Sequence, residues 1–376
     1  MSNPISNTSS ATLKSLETLR IAAAIAVVFA HSIAFEIPFL KPFLGGSYFV
    51  GSIGVDIFFV ISGFVMGVAA FRSGSGVQAA KSFILSRLLR LFPLYALLTS
   101  LASAYLIARG VKIEIGHFLQ SIFFLPTFSG DQALDPIMAM GWTLRFEMYF
   151  YLLVAGGIAA NRKILVPVAG ILASFGFWLI SGFYYGAPLV LEFIAGYLLN
   201  AHRGTLLDGI RARFGSRVFV VGLLLSVALL LAAATGKDWG DAGHGIYGMI
   251  PRLWITYAEF ELPRVIAWGI PAVAVIYFCI GLESDLKWRT ALLGKYTYSV
   301  YLVQFFVLPI VMRVDNIRWM PDVGVFVCEA VLIAVGSVLA FRLIESPALK
   351  LRRHFAPKVA AMPMPEPTGA AKSEQA

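Results

Sequence analysis

Charge is scarce in this chain. Asp, Glu, Lys and Arg make up 14% of its 376 residues, against 59% hydrophobic residues and 30 Phe. That balance lies outside the range of water-soluble domains. It also excludes the soluble basic domain that nucleic-acid binding would need, although the net charge is +9. Cysteine is nearly absent. Cys279 and Cys328 fall inside apolar runs with no disulfide or metal-ligand spacing, so both are expected to be small buried hydrophobes and no metal is expected. A cleavable leader is not expected either, because Phe35-Glu36-Ile37-Pro38 follows the first apolar run where small residues should stand.

Long apolar runs fill the space that charge leaves. Their length matches the hydrocarbon thickness of a bilayer, which takes ~20 residues of helix. Ten such runs are predicted, at 15 to 35, 49 to 71, 83 to 108, 143 to 160, 163 to 182, 185 to 200, 216 to 235, 264 to 281, 294 to 312 and 322 to 344. The expected fold is therefore an all-α polytopic membrane bundle of about ten transmembrane helices. With the amino terminus inside, 21 of the 30 Lys and Arg residues fall in inner segments or adjoining helix ends, as short cytoplasmic loops require. Both termini are then cytoplasmic. Residues 1–14 form an N-terminal cytoplasmic segment, 15–353 the transmembrane domain, and 354–376, rich in Pro, Ala and polar residues, a disordered cytoplasmic tail.

Any chemistry must then be done by polar groups at membrane depth or at its mouths, and such groups are functional by default because each is expensive there. Arg20 and His31, eleven apart in the first run, share a helix face and lie ~16 Å apart along it. Asp56, within Gly54-Val55-Asp56, and Glu147, within Trp142-Thr143-Leu144-Arg145-Phe146-Glu147, are expected at a depth similar to that of His31. A His beside a carboxylate makes a general base, the carboxylate fixing the tautomer and stabilising the imidazolium. Asp56 has a plainer reading too, as the structural partner of a neighbouring cation. Arg87 and Arg90 share a face at the start of the third run and join Arg20 at the inner mouth, a set suited to a phosphorylated ligand or simply to inner-leaflet anchoring.

In these residues the chain resembles the integral-membrane acyltransferase-3 family. The matching elements are Leu16-Glu17-Thr18-Leu19-Arg20 with His31, Gly54-Val55-Asp56 to Phe64, Arg87 to Tyr95, and Trp142-Thr143-Leu144 with Glu147. Gly294 to Leu302 and Ile344-Glu345-Ser346-Pro347 complete the set, six motifs in order across residues 15 to about 353. The resemblance implies an O-acyltransferase of a bacterial inner membrane. It would take an acyl group, most commonly acetyl, from cytoplasmic acyl-coenzyme A to a sugar hydroxyl of a surface or lipid-linked glycan. It further implies that Arg20 and His31 are essential, that Arg87 and Arg90 serve the donor or the structure, and that Glu147 is the family's glutamate. Where relatives commonly carry a His in the ninth helix, this chain has Gln304, which can hydrogen-bond but cannot relay a proton.

Direct transfer, with His31 oriented by Asp56 or Glu147, is the expected mechanism. Two rival readings stand beside it: a transporter or flippase for a glycan or small solute, and a non-catalytic partner in polysaccharide export. Plainer roles are expected for the remaining polar and aromatic groups. Trp142, Trp239, Trp254 and Trp319 read as interfacial anchors, His117 and His244 as solvated loop residues, and Glu345-Ser346-Pro347 as the stop of the last helix. The stretch 116 to 127 is too short to span.

Overall fold

The computed structural model describes residues 13–34, 49–129, 132–234, 264–315 and 322–355. The expected tail from residue 356 on and the Trp239, His244, Trp254 and Trp319 positions lie outside these residues, whereas His354 and Phe355, placed in that tail by the sequence, close the last helix. Helix occupies each of the ten apolar segments. In chain order they are α1 (Lys14–Ala34), α2 (Phe49–Arg72), α3 (Val77–Ala108), a short α4 (Ile115–Ile122), α5 (Gly141–Ala159), α6 (Leu165–Ser181), α7 (Val190–Phe214) and α8 (Arg217–Ala234). A π-turn (Val265–Gly269) leads into α9 (Ile270–Gly281), and a 3-10 segment (Arg289–Tyr296) into α10 (Thr297–Asp315). Finally, α11 (Asp322–Ala340) passes through a second π-turn (Phe341–Glu345) into α12 (Ser346–Phe355).

Among the described residues, Lys14–Ser32, Ile53–Arg72, Val77–Ala108 and Gly324–Leu351 are each long and apolar enough to cross a bilayer unaided. Helices α7 and α8 meet at Gly215, where the axis bends by 113°. The molecule is an all-α membrane bundle with one exception. β1 (Thr127–Ser129) and β2 (Gln132–Leu134) pair antiparallel after α4, and the stretch 116 to 127, too short to span, is α4 and the approach to β1.

Two boundaries differ from expectation for physical reasons. Helix α3 begins at Val77 and carries Pro93 inside it, because the polar turn before residue 83 has good helix formers and no breaker. Pro347 does not end the last helix. It falls in the first turn after the π-turn, where a missing N–H is tolerated, and the helix runs on to Phe355.

Packing explains why α2 is central. It lies against α1 on one side and α7 on the other. At the α2–α7 crossing the backbones nearly touch: a Cβ on Gly63 would stand 1.9 Å from the Phe193 carbonyl oxygen, and one on Gly196 1.9 Å from that of Val60. Close approach through small residues is how helices associate where lipid removes the hydrophobic drive. Around this crossing Phe64, Phe146, Phe150, Phe193 and Tyr197 are fully buried. Phe59 stacks on Phe193, and Phe193 on Phe150, with centroids 4.5 and 5.2 Å apart. The outward faces are apolar, as with Leu172 and Ile180 of α6 and Leu224 and Leu225 of α8. Hydrocarbon is the solvent such faces fit.

Candidate functional site

Helix α1 is fixed at its start by a distant carboxylate. The orphan N–H groups of Lys14 and Ser15 donate to Glu283 at 2.8 and 2.9 Å, satisfying donors that a helix start leaves unpaired. Two turns on, Arg20 lies 3.4 Å from Glu17. Its guanidinium lines two cavities at once, and Arg90 of α3 lines the same two.

The first cavity is a vestibule of about 870 Å³ between the start of α1, the 283–296 connection and the second π-turn. Six cations line it (Lys14, Arg20, Arg90, Lys287, Arg289 and Lys295) against three carboxylates, Glu17, Glu283 and Glu345. Each carboxylate is engaged: Glu17 with Arg20, Glu283 with the start of α1, and Glu345 as acceptor of the Ser299 hydroxyl. The surplus of positive charge faces the hollow. The second cavity, about 70 Å³, continues from the arginine pair into the bundle between α2, α3, α5 and α10. Phe58, Phe59 and Leu144 make its apolar wall, and Glu147, Thr143 and Tyr301 its polar points.

Glu147 accepts hydrogen bonds from Ser62, at 3.1 Å, and from Tyr151, and its charge acts on Arg20. Arg87 departs from expectation. It is 8% exposed and lines neither cavity. Its guanidinium carbon sits 5.4 Å from the centre of the Phe83 ring and 5.9 Å from that of Tyr151, close enough for cation–π attraction. Three residues of helix leave a ~60° offset, enough to send Arg90 to the cavities and Arg87 into the aromatic core. Arg87 therefore holds Tyr151, which in turn holds Glu147.

His31 occupies different surroundings. Its Nδ1 is 3.2 Å from Gln304 Oε1, and Gln304 Nε2 donates to the Tyr301 carbonyl at 2.9 Å. The second bond fixes which way the amide points. The oxygen therefore faces the imidazole, Nδ1 must carry the proton, and Nε2 is left with its lone pair. The expected orienters, Asp56 and Glu147, do not do this. Asp56 is fully buried and forms a bidentate pair with Arg264 at 2.9 and 3.2 Å, with the guanidinium over the Trp268 ring at 4.9 Å. Buried Glu192 packs beside this pair, against Gly269. Asp56 lines neither cavity. The structure thus brings together Arg20, Arg90 and Glu147; His31 lines neither cavity and reaches the pocket residue Tyr301 only through Gln304, and Asp56 and Arg87 stand apart from them.

Several smaller expectations change as well. Trp142 packs edge-on against Phe59 and Phe146. Cys328 is exposed on α11, whereas Cys279 is buried. His117 lies 3.0 Å from the Asp135 carbonyl oxygen, tying α4 to the segment after the hairpin. Among the described residues, no three His, Cys, Asp or Glu side chains gather as a metal site would require. Glu345, read from the sequence as part of a helix stop and a motif, stands instead on the vestibule wall. The π-turn gives the helix a wider turn there, a device common at working sites, and sets both Phe341 and Glu345 on the vestibule wall.

The comparisons with known proteins agree with this architecture. The family model described as "Acyltransferase domain", that of the acyltransferase-3 family, matches residues 13–342. The chain belongs to this family and is a membrane O-acyltransferase. It is similar to the exopolysaccharide production protein ExoZ of Rhizobium meliloti (strain 1021), with 27% identity over 327 residues, covering 82% of this chain and 93% of the relative. It is also similar to nodulation protein 10 of Rhizobium leguminosarum bv. viciae, with 25% identity over 385 aligned residues, covering 93% of this chain and 96% of the relative. No solved structure matches.

Proposed function

We propose that this protein is a multi-pass enzyme of a bacterial inner membrane, with both termini cytoplasmic. It moves an acyl group, acetyl in the first instance, from cytoplasmic acyl-coenzyme A to a sugar hydroxyl of an exopolysaccharide or other lipid-linked glycan. The observation that carries this reading is that the basic vestibule and the inner pocket share Arg20 and Arg90 as common wall. A polyphosphorylated donor fits the vestibule, because guanidinium and ammonium groups outnumber engaged carboxylates there. A flexible acyl-bearing arm fits the narrower apolar pocket beyond. The name of the Rhizobium meliloti relative, an exopolysaccharide production protein, supports a carbohydrate acceptor.

The residues then divide the work. Arg20 and Arg90 bind donor phosphates at the junction, and Glu147 holds their charge in place beside the path of the thioester. Arg20 and His31 are separated by ~16 Å of helix, which a pantetheine arm of ~15–20 Å spans. His31 Nε2 takes the proton of the acceptor hydroxyl, the oxygen attacks the thioester carbonyl, and the carbon–sulfur bond breaks. The imidazolium returns its proton to the departing thiolate, so no proton is gained or lost. Family membership favours the enzyme over a transporter or an assembly partner.

Purified protein incubated with radiolabelled acetyl-coenzyme A and surface glycan should label the glycan. His31→Ala should abolish labelling while the protein stays inserted and abundant. Labelling by that variant would refute the assignment of the base.

A further inference from the structure

Two consecutive residues in the last turn of α1 carry polar side chains, and each is gripped by a different helix. His31 meets Gln304 of α10. Ser32, fully buried, donates its hydroxyl to Glu329 Oε1 of α11. Glu329 is only 1% exposed, its Oε2 has no hydrogen-bond partner, and no cation among the described residues pairs with it. A carboxyl at such a place in a spanning helix is expensive and calls for a use. Around it the contacts are apolar: Phe29 stacks on Phe326 with centroids 5.7 Å apart, and Val303, Val307, Val325 and Ile333 form a patch against Val28. That patch holds α10 and α11 together. It gives no direction to the last turn of α1, since dispersion contacts are not directional, whereas a hydrogen bond to a carboxyl is.

We propose that Glu329 is a positioning residue for acyl transfer: through Ser32 it fixes the last turn of α1, so that the His31 ring meets Gln304 in one orientation. This inference rests on the reading of His31 as the base. A slack last turn would let the ring leave Gln304, and Nε2 would lose its aim toward the acceptor hydroxyl, which catalysis tolerates poorly.

The test is a cycle of variants assayed for acetyl transfer in native membranes, with protein amount measured for each. Ser32→Ala and Glu329→Leu should each lower kcat about 10-fold, the rate equivalent of one lost hydrogen bond. The donor KM should not move. The double variant should be no worse than either single one, because both remove the same contact. Glu329→Gln keeps an acceptor for Ser32 and should stay within about 3-fold of the parent with an unchanged pH profile. Should Glu329→Leu fail to insert, Ser32→Ala and Glu329→Gln still decide the matter. Losses that multiply in the double variant, a Glu329→Gln variant as impaired as Glu329→Leu, or a Ser32→Ala variant at full activity would overturn the proposal. His31→Ala is assayed alongside: activity there sinks the base assignment itself, whereas the cycle is read in the His31 parent.

Discussion

Asp56 and Glu147 look alike in the sequence, each a lone carboxylate in an apolar helix. The fold treats them oppositely. Asp56 is sealed at 0% exposure in a bidentate pair with Arg264 and lines neither cavity. Glu147 has no ion pair among the described residues at hydrogen-bonding range, is held by two hydroxyls, and opens onto the pocket beside Arg20 and Arg90. What separates the two is their company: a guanidinium locks one in place, and two hydroxyls hold the other at the wall of a pocket.

The comparison can be broken most decisively at Glu147. Glu147→Gln keeps the shape and both hydroxyl contacts but removes the charge that steadies the two arginines, so transfer should fall about 10²-fold or more with melting temperature in detergent hardly altered. An active Glu147→Gln enzyme would erase the difference between the two carboxylates. Asp56→Asn should do the reverse. It leaves Arg264 buried without its carboxylate, a loss of about 3–5 kcal/mol seen as lower abundance and melting temperature. Asp56→Leu combined with Arg264→Met should recover most of that loss, and activity per folded molecule should be close to the parent's. A folded but inactive double variant would give Asp56 a chemical role after all.

The two arginines of α3 sharpen the same contrast at smaller scale. Arg90→Leu should raise the donor KM about 10-fold or more, the effect of losing one charge-assisted hydrogen bond. Arg87→Leu should leave donor KM alone and cost about 1 kcal/mol of stability through the lost ring contacts. Smallest of all, Gln304→Leu should lower kcat up to about 10-fold without moving donor KM, because one bond that holds the imidazole is gone.

How far the sequence carried these distinctions depended on distance along the chain. Helices were legible because apolar length is a local property, and the Arg20 to His31 spacing was legible because both lie on one helix. Asp56 was not, since its partner lies 208 positions away and no local pattern announces which cation a carboxylate will meet. Arg87 and Arg90 shared a motif and parted company by an angular offset that only packing against Phe83 and Tyr151 turned into two roles. Glu345 was hidden for another reason. Pro347 reads as a helix stop, and the π-turn that carries the chain through it has no signature in residue order. Gln304 was noticed as a departure from relatives, yet its contact with His31 required the turn of α10 that also presents Tyr301.

The narrowness of the inner pocket has a consequence for the cell. Far smaller than the vestibule, it is walled by Phe58, Phe59 and Leu144, and two guanidinium groups stand at its entrance. A continuous aqueous thread through such a throat would short-circuit the membrane potential, and positive charge at the entrance repels hydronium and sodium alike. On the proposed function, an acyl group riding a flexible arm passes where a hydrated ion cannot, so chemistry is delivered across the bilayer while its insulation is kept.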